Sequence, residues 1–301
     1  MSRPLELARY TTATLSAALD DARRAGLPTA ILWPVGSTEP HGPHLPLATD
    51  TLLAEENARR AALWLRAEGI FTVIAPSLPY GVTDFAEGFA GAISIPAEVL
   101  IGLVKAGADR FIADGFDHVC LVNHHLEPGQ IDALTVARDA IRGRHGNQAA
   151  SFPKVVSRRW GSRLGAEFRS GACHAGRYEG SLMLATAPHM VDMNTARQLP
   201  PLDISLSKAI ADGTAGFIAA GMSRAYTGDP AAASAMEGDL LYAVLAEMVV
   251  TEVREALAAL LEASAELSAE RSAERPADQS IDAPADADDG PPGKRPGDPA
   301  R

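Results

Sequence analysis

Three short apolar runs, at residues 29–36, 70–76 and 119–123, alternate with longer segments rich in Ala, Leu, Arg and Glu. Uninterrupted apolar runs of this length suit strands buried on both faces, which occur in parallel sheets covered by helices. The intervening segments read as helices. Residues 14–25 stop at Gly26 and Pro28, residues 50–68 stop at Gly69, and residues 96–115 begin on a proline, which suits a first helical turn. A further helix is expected over 128–142. Strand–helix alternation of this kind implies right-handed βαβ units, so the expected fold is α/β, with three α/β/α layers around a mainly parallel central sheet. In such sheets ligands bind beyond the carboxyl ends of the strands.

The chemistry lies at those ends. After the first run the chain reads Val-Gly-Ser-Thr-Glu39-Pro-His41-Gly-Pro-His44-Leu-Pro-Leu-Ala-Thr-Asp50. Carboxylate, imidazole and carboxylate are ligand types for zinc or manganese, and three prolines stiffen the segment that carries them. After the third run come Asn123-His124-His125-Leu126-Glu127. His125 and Glu127 are spaced i, i+2, so in an extended segment they share a face and His124 takes the opposite one. A third cluster, Cys173-His174-Ala175-Gly176-Arg177-Tyr178-Glu179, sets a histidine and an acid around a glycine turn. A histidine there can shuttle protons near neutral pH, and the acid can orient it. Cys173 reads as a buried spectator. Trp33 and Trp64 are expected in the core. Trp160 lies in a loop-like stretch, where an indole could cover a planar substrate, and the nearby Arg158, Arg159 and Arg163 could recognise an acidic group.

The bulk numbers narrow the function classes. A net charge of −11 leaves no general basic surface for nucleic acid or anionic membranes. Two cysteines, Cys120 and Cys173, suit a reducing cytoplasm rather than a disulfide framework. Residues 240–261 are apolar but interrupted by Glu247, Glu252, Arg254 and Glu255, which makes an amphipathic helix and not a membrane span. The first residues lack the apolar core of a signal peptide. From residue 265 the composition shifts to Ala, Asp, Glu, Pro and Gly. Residues 1–264 are therefore expected to form one domain, and 265–301 a disordered tail.

These motifs together resemble the creatininase family of metal-dependent amidohydrolases, over roughly residues 10–260. The family's segment Pro-Val-Gly-Ser-x-Glu-x-His-Gly-Pro-His-Leu-Pro-Leu-x-Thr-Asp stands at 34–50, its His-x-Glu at His125 to Glu127, and its His-Ala-Gly-x-x-Glu-x-Ser at 174–181. Gly228-Asp229-Pro230 resembles a further family segment. The resemblance implies two divalent ions per chain, zinc or manganese with iron as another choice. Glu39, Asp50 and His125 would hold one ion, and His41, Asp50 and Glu127 the other, with Asp50 bridging. A hydroxide between the ions would attack a carbonyl, while His174, supported by Glu179, passes a proton to the leaving nitrogen. Hexamers are implied as well. The chain departs from the family near the pocket, where His124 replaces a glycine, so His124 joins Trp160 as an expected substrate contact. The expected reaction is cleavage of a C–N bond in a small cyclic amide or formamide-like molecule. Ring-opening of a cyclic ketone, and a non-catalytic maturation or assembly role on the same fold, stand as alternatives.

Overall fold

The apolar runs form the centre of a single parallel sheet in a computed structural model that describes residues 3–273. In chain order the elements are α1 (Thr12–Ala25), β1 (Thr29–Val35), α2 (Thr49–Ala67), β2 (Phe71–Ile74), α3 (Ala97–Asp114), β3 (His118–Asn123), α4 (Pro128–His145) and β4 (Ala150–Ser151). Short helices α5 (Arg158–Gly161) and α6 (Ala166–Ser170) follow, then α7 (Arg177–Thr186), α8 (Met193–Ala196) and α9 (Leu206–Ala211). The described chain closes with α10 (Ala235–Ala256) and α11 (Ala258–Ala273). The strand order is β2-β1-β3-β4, and every pairing is parallel.

Alternation along the strands builds the layers. Ala30, Leu32, Cys120 and Val122 face a core shared with α2, α7 and α10. Ile31, Trp33, Val35, Val119 and Leu121 face a second core shared with α1, α3 and α4. Both faces of β1 and β3 are buried throughout, which explains why their sequences read as continuous apolar runs. The chain thus has the three-layer α/β/α architecture. Among the described residues, no helix is long and apolar enough to cross a membrane.

Two expectations change. Trp64 is 42% exposed on α2 and donates its indole N–H to Glu68, four residues on, so it belongs to a helix surface and not to the core. Helix α11 runs on to Ala273, past the boundary expected at 264, because Ala, Glu and Leu continue there without a breaker. The rest of the expected tail, residues 274–301, lies outside the described residues.

Candidate metal centre

All three clusters meet beyond the carboxyl ends of β1 and β3. Glu39 and His41 sit on the loop leaving β1, and Asp50 lies in the first turn of α2. The close approach of that turn to the strand end requires a glycine: a Cβ on Gly36 would stand 2.5 Å from the backbone nitrogen of Thr51. His125 and Glu127 leave β3, and His174 and Glu179 flank the start of α7.

Asp50 is the hub. Its Oδ2 accepts from Ser37 at 2.7 Å and lies 3.0 Å from His125 Nδ1, while its Oδ1 lies 3.1 Å from His41 Nε2. Glu39 Oε1 is 3.2 Å from His125 Nδ1 and 3.7 Å from His174 Nδ1. Glu179 Oε2 is 3.5 Å from His41 Nε2 and accepts the Ala175 N–H at 2.6 Å. Glu39, His41, Asp50, His125, His174 and Glu179 are all buried. Among the described residues, three groups of three ligand atoms, each within 4.8 Å of one another, could hold an ion: Glu39–Asp50–His125, His41–Asp50–Glu179 and Glu39–His41–His174.

The first grouping places together the residues expected for one ion. The second departs from expectation. Glu179, expected to support His174, completes the set around His41, and Glu127 does not join it. Glu127 lies beyond His125, 3.8 Å from its Nε2, with both carboxylate oxygens taken up by the backbone N–H groups of Asp84 and Phe85.

The electrostatics follow from burial without permanent cations. Among the described residues, no lysine or arginine lines the cavity above the cluster. Burial works against the charged form of every group, yet His41 and His125 hold Asp50 well below the usual carboxylate range, and His125 lowers Glu39. In return, against the same burial, Asp50 and Glu179 raise His41 to about 10, and Glu39 and Asp50 raise His125 well above its ordinary value. Burial pushes Glu179 up to about 8 and Glu127 up to about 7. His174 is driven down to about 4 by burial and by His41. Several carboxylates packed this closely and out of water require positive charge. The mixed oxygen and nitrogen donors fit divalent zinc, manganese or iron.

The cavity above the cluster has a volume of about 310 Å³. Its floor is the acid and histidine cluster, and its walls include Phe85, Leu126, Ile131, Val156, Ile210 and Phe217. The Phe217 ring lies on the His174 ring, with centroids 4.4 Å apart. Phe217 sits in a stretch of small residues without a chemical cue, so the sequence pattern does not mark it. Cys173 lines the cavity with its thiol pushed up to about 12 by burial, as a spectator would be.

Other expected contacts lie elsewhere. Trp160 is on α5 and not in a loop; its ring is buried in the core beside α10, and its N–H donates to Glu252 at 3.0 Å. His124 points away from the cavity, and its Nε2 accepts from Asn57 of α2 at 3.1 Å, because successive residues of an extended segment face opposite ways. Arg159 and Arg163 pair with Glu255 and Glu247 on the surface of α10.

Comparisons with known proteins bear on the family and the fold. A family model described as creatinine amidohydrolase, the creatininase family, matches residues 14–253. The mycofactocin precursor peptide peptidase of Mycobacterium ulcerans (strain Agy99) is 34% identical over 233 residues, 74% of this chain and 84% of that protein. The creatinine amidohydrolase of Pseudomonas putida is 28% identical over 198 residues, 60% of this chain and 73% of that one. Among solved structures, a mutant creatininase of Zn-Zn type superposes with a TM-score of 0.63 at 20% identity, covering 84% of this chain and 98% of that one.

Proposed function

The chain belongs to the creatininase family of hydrolases, and from that premise we propose that it uses two divalent ions to cleave an amide C–N bond. The observation that carries this reading is Asp50, a buried carboxylate whose two oxygens face two different ligand sets. Glu39, Asp50 and His125 would hold one ion, and His41, Asp50 and Glu179 the other. Zinc or manganese there would supply a Lewis acid for the substrate carbonyl and a lowered pKa for water.

The chain's own groups do the rest. Glu127 lines the cavity, is fixed by two backbone donors, and has a carboxyl raised by burial to about 7, so it can take a proton from water and return it to the leaving nitrogen. His174 gives its Nε2–H to the Pro40 carbonyl at 3.0 Å, which leaves Nδ1 turned to the floor as a neutral acceptor. Phe217 covers His174 and keeps water from that side.

For the substrate we propose a peptide end with a bulky apolar residue beside the cleaved amide. The apolar walls and the absence of lining cations support this, as does the similarity to a protein named as a peptidase. A cyclic amide or formamide is the second reading, favoured by a cavity of only 310 Å³, near the small end of ligand sites. Amine release by zinc- or manganese-loaded protein, measured on apolar and acidic peptides, lactams and formamides, tests both. An apolar peptide should exceed its acidic counterpart by about tenfold or more in kcat/KM. Turnover of lactams with none of any peptide would reject the peptide reading.

A further inference from the structure

Residues 81–85, Gly-Val-Thr-Asp-Phe, carry no metal-binding pattern, yet they touch three of the side chains just described. The Val82 carbonyl accepts from His125 Nε2 at 2.7 Å. A carbonyl only accepts, so that imidazole carries a proton on Nε2 and turns Nδ1 to Asp50 and Glu39. The Thr83 hydroxyl donates to Glu39 Oε2, which leaves Oε1 as the oxygen nearer the histidines. The N–H groups of Asp84 and Phe85 donate to Glu127 Oε1 and Oε2 at 3.0 and 3.2 Å. One short loop therefore holds residues from two other segments.

Gln130 ties this loop to the end of β3. It is fully buried on α4; its Oε1 accepts the Val82 N–H at 3.0 Å, and its Nε2 donates to Asn123 Oδ1 at 3.2 Å. Asn123 in turn donates to the His125 carbonyl at 2.6 Å. A Cβ on Gly81 would lie 2.4 Å from Gln130 Oε1, so only glycine lets the amide come this close. A single side-chain amide thus sets the distance between the carbonyl that orients the His125 ring and the backbone that carries it.

We propose that Thr83 and Gln130 are positioning residues of the metal centre. Acting through loop 81–85, they select Nδ1 of His125 and Oε1 of Glu39 as the atoms that face the ions. The inference rests on the metal-centre reading above, and the test separates the two. Zinc affinity by chelator competition and the visible absorption of the cobalt-substituted protein are measured for wild type, Thr83→Val and Gln130→Leu. Cooperative unfolding of the metal-free proteins serves as the check on folding. Thr83→Val removes a single donor at nearly constant shape, so it is the variant that decides if Gln130→Leu fails to fold.

The expected result is a folded Thr83→Val protein with zinc affinity reduced by about 10–100-fold and a shifted cobalt spectrum, since partners behind metal ligands typically carry that much. A purely structural threonine would leave the cobalt bands unmoved. Wild-type zinc affinity and an unchanged cobalt spectrum in Thr83→Val would overturn the positioning role while leaving the metal centre standing. A wild-type protein that takes up neither zinc nor cobalt would overturn the metal centre itself, and the positioning role with it.

Discussion

The two ends of β3 each bury a histidine, and the histidines differ in what surrounds them. His118, at the amino end, places Nδ1 2.5 Å from the Gln148 carbonyl and Nε2 2.8 Å from the Ser151 hydroxyl. Its partners are neutral, and burial drives it down to about 4, so it remains an uncharged part of the core. His125, just past the carboxyl end, places Nδ1 3.0 Å from Asp50 and 3.2 Å from Glu39, and its affinity for a proton rises. Burial is nearly equal in the two cases. What separates a structural histidine from one poised to hold a cation is whether the oxygens around it carry uncompensated charge. The carboxyl ends of parallel strands gather such oxygens because the loops there are free of the sheet's pairing.

The strongest way to break this contrast is Asp50→Asn. The carboxylate shared between both ligand sets becomes a neutral amide of the same shape. Bound metal, measured by elemental analysis, should fall from two ions per chain to one at most. Hydrolysis should drop by about a thousandfold or more, about 4 kcal/mol of transition-state stabilisation. Full metal content in this variant would show that Asp50 is an ordinary helix-start acid. His118→Gln should leave metal content unchanged, since no cation depends on His118.

His118 sharpens the contrast through pH. Its folded-state value of about 4 lies below the ordinary 6.5 because burial penalises the charged ring. Below pH 6.5 the unfolded chain takes up this proton and the folded chain does not, so stability falls as pH drops, until about pH 4, where the folded state also binds it. Over that window His118 should cost the wild type about 3 kcal/mol that His118→Gln does not lose. Denaturant unfolding at a series of pH values measures the difference, and parallel curves for the two proteins would show that the folded and unfolded chains bind this proton alike.

The same contrast explains which features could be read from the sequence. The sheet and its layers were legible because strands buried on both faces must be apolar throughout, as 29–36 and 119–123 are. The convergence of Glu39, Asp50 and His125 as one candidate set was legible too, because ligand types at strand ends leave a local pattern. The make-up of the set around His41 was not. That His41 meets Glu179 rather than Glu127 depends on how α7 packs against the β1 loop, 134 residues apart in the His174–Pro40 bond, and no local spacing encodes it. Loop 81–85 was invisible for a related reason: it acts mostly through backbone groups, which every residue has. Trp160 misled because an aromatic among arginines looks like a recognition loop, while its partner Glu252 lies 92 residues away.

The arginines beside Trp160 give the smallest expected effect, and they test the boundary between a charged surface and a charged site. Arg163 sits 42% exposed, with its guanidinium on Glu247 at 2.6 and 2.8 Å, and Arg159 holds Glu255 in the same forked way. Both guanidinium groups also lie over the Trp160 ring, at 5.4 and 4.8 Å. Solvent screens these pairs, and fixing two long side chains costs entropy, so such pairs contribute little to stability. Neither arginine lines the cavity. Arg163→Ala should therefore lower stability by about 0.5 kcal/mol and leave kcat/KM unchanged for neutral and acidic amides alike. A selective loss on acidic substrates would mean that this face reaches the substrate after all, and the division between compensated surface charge and uncompensated buried charge would have to be redrawn around α5.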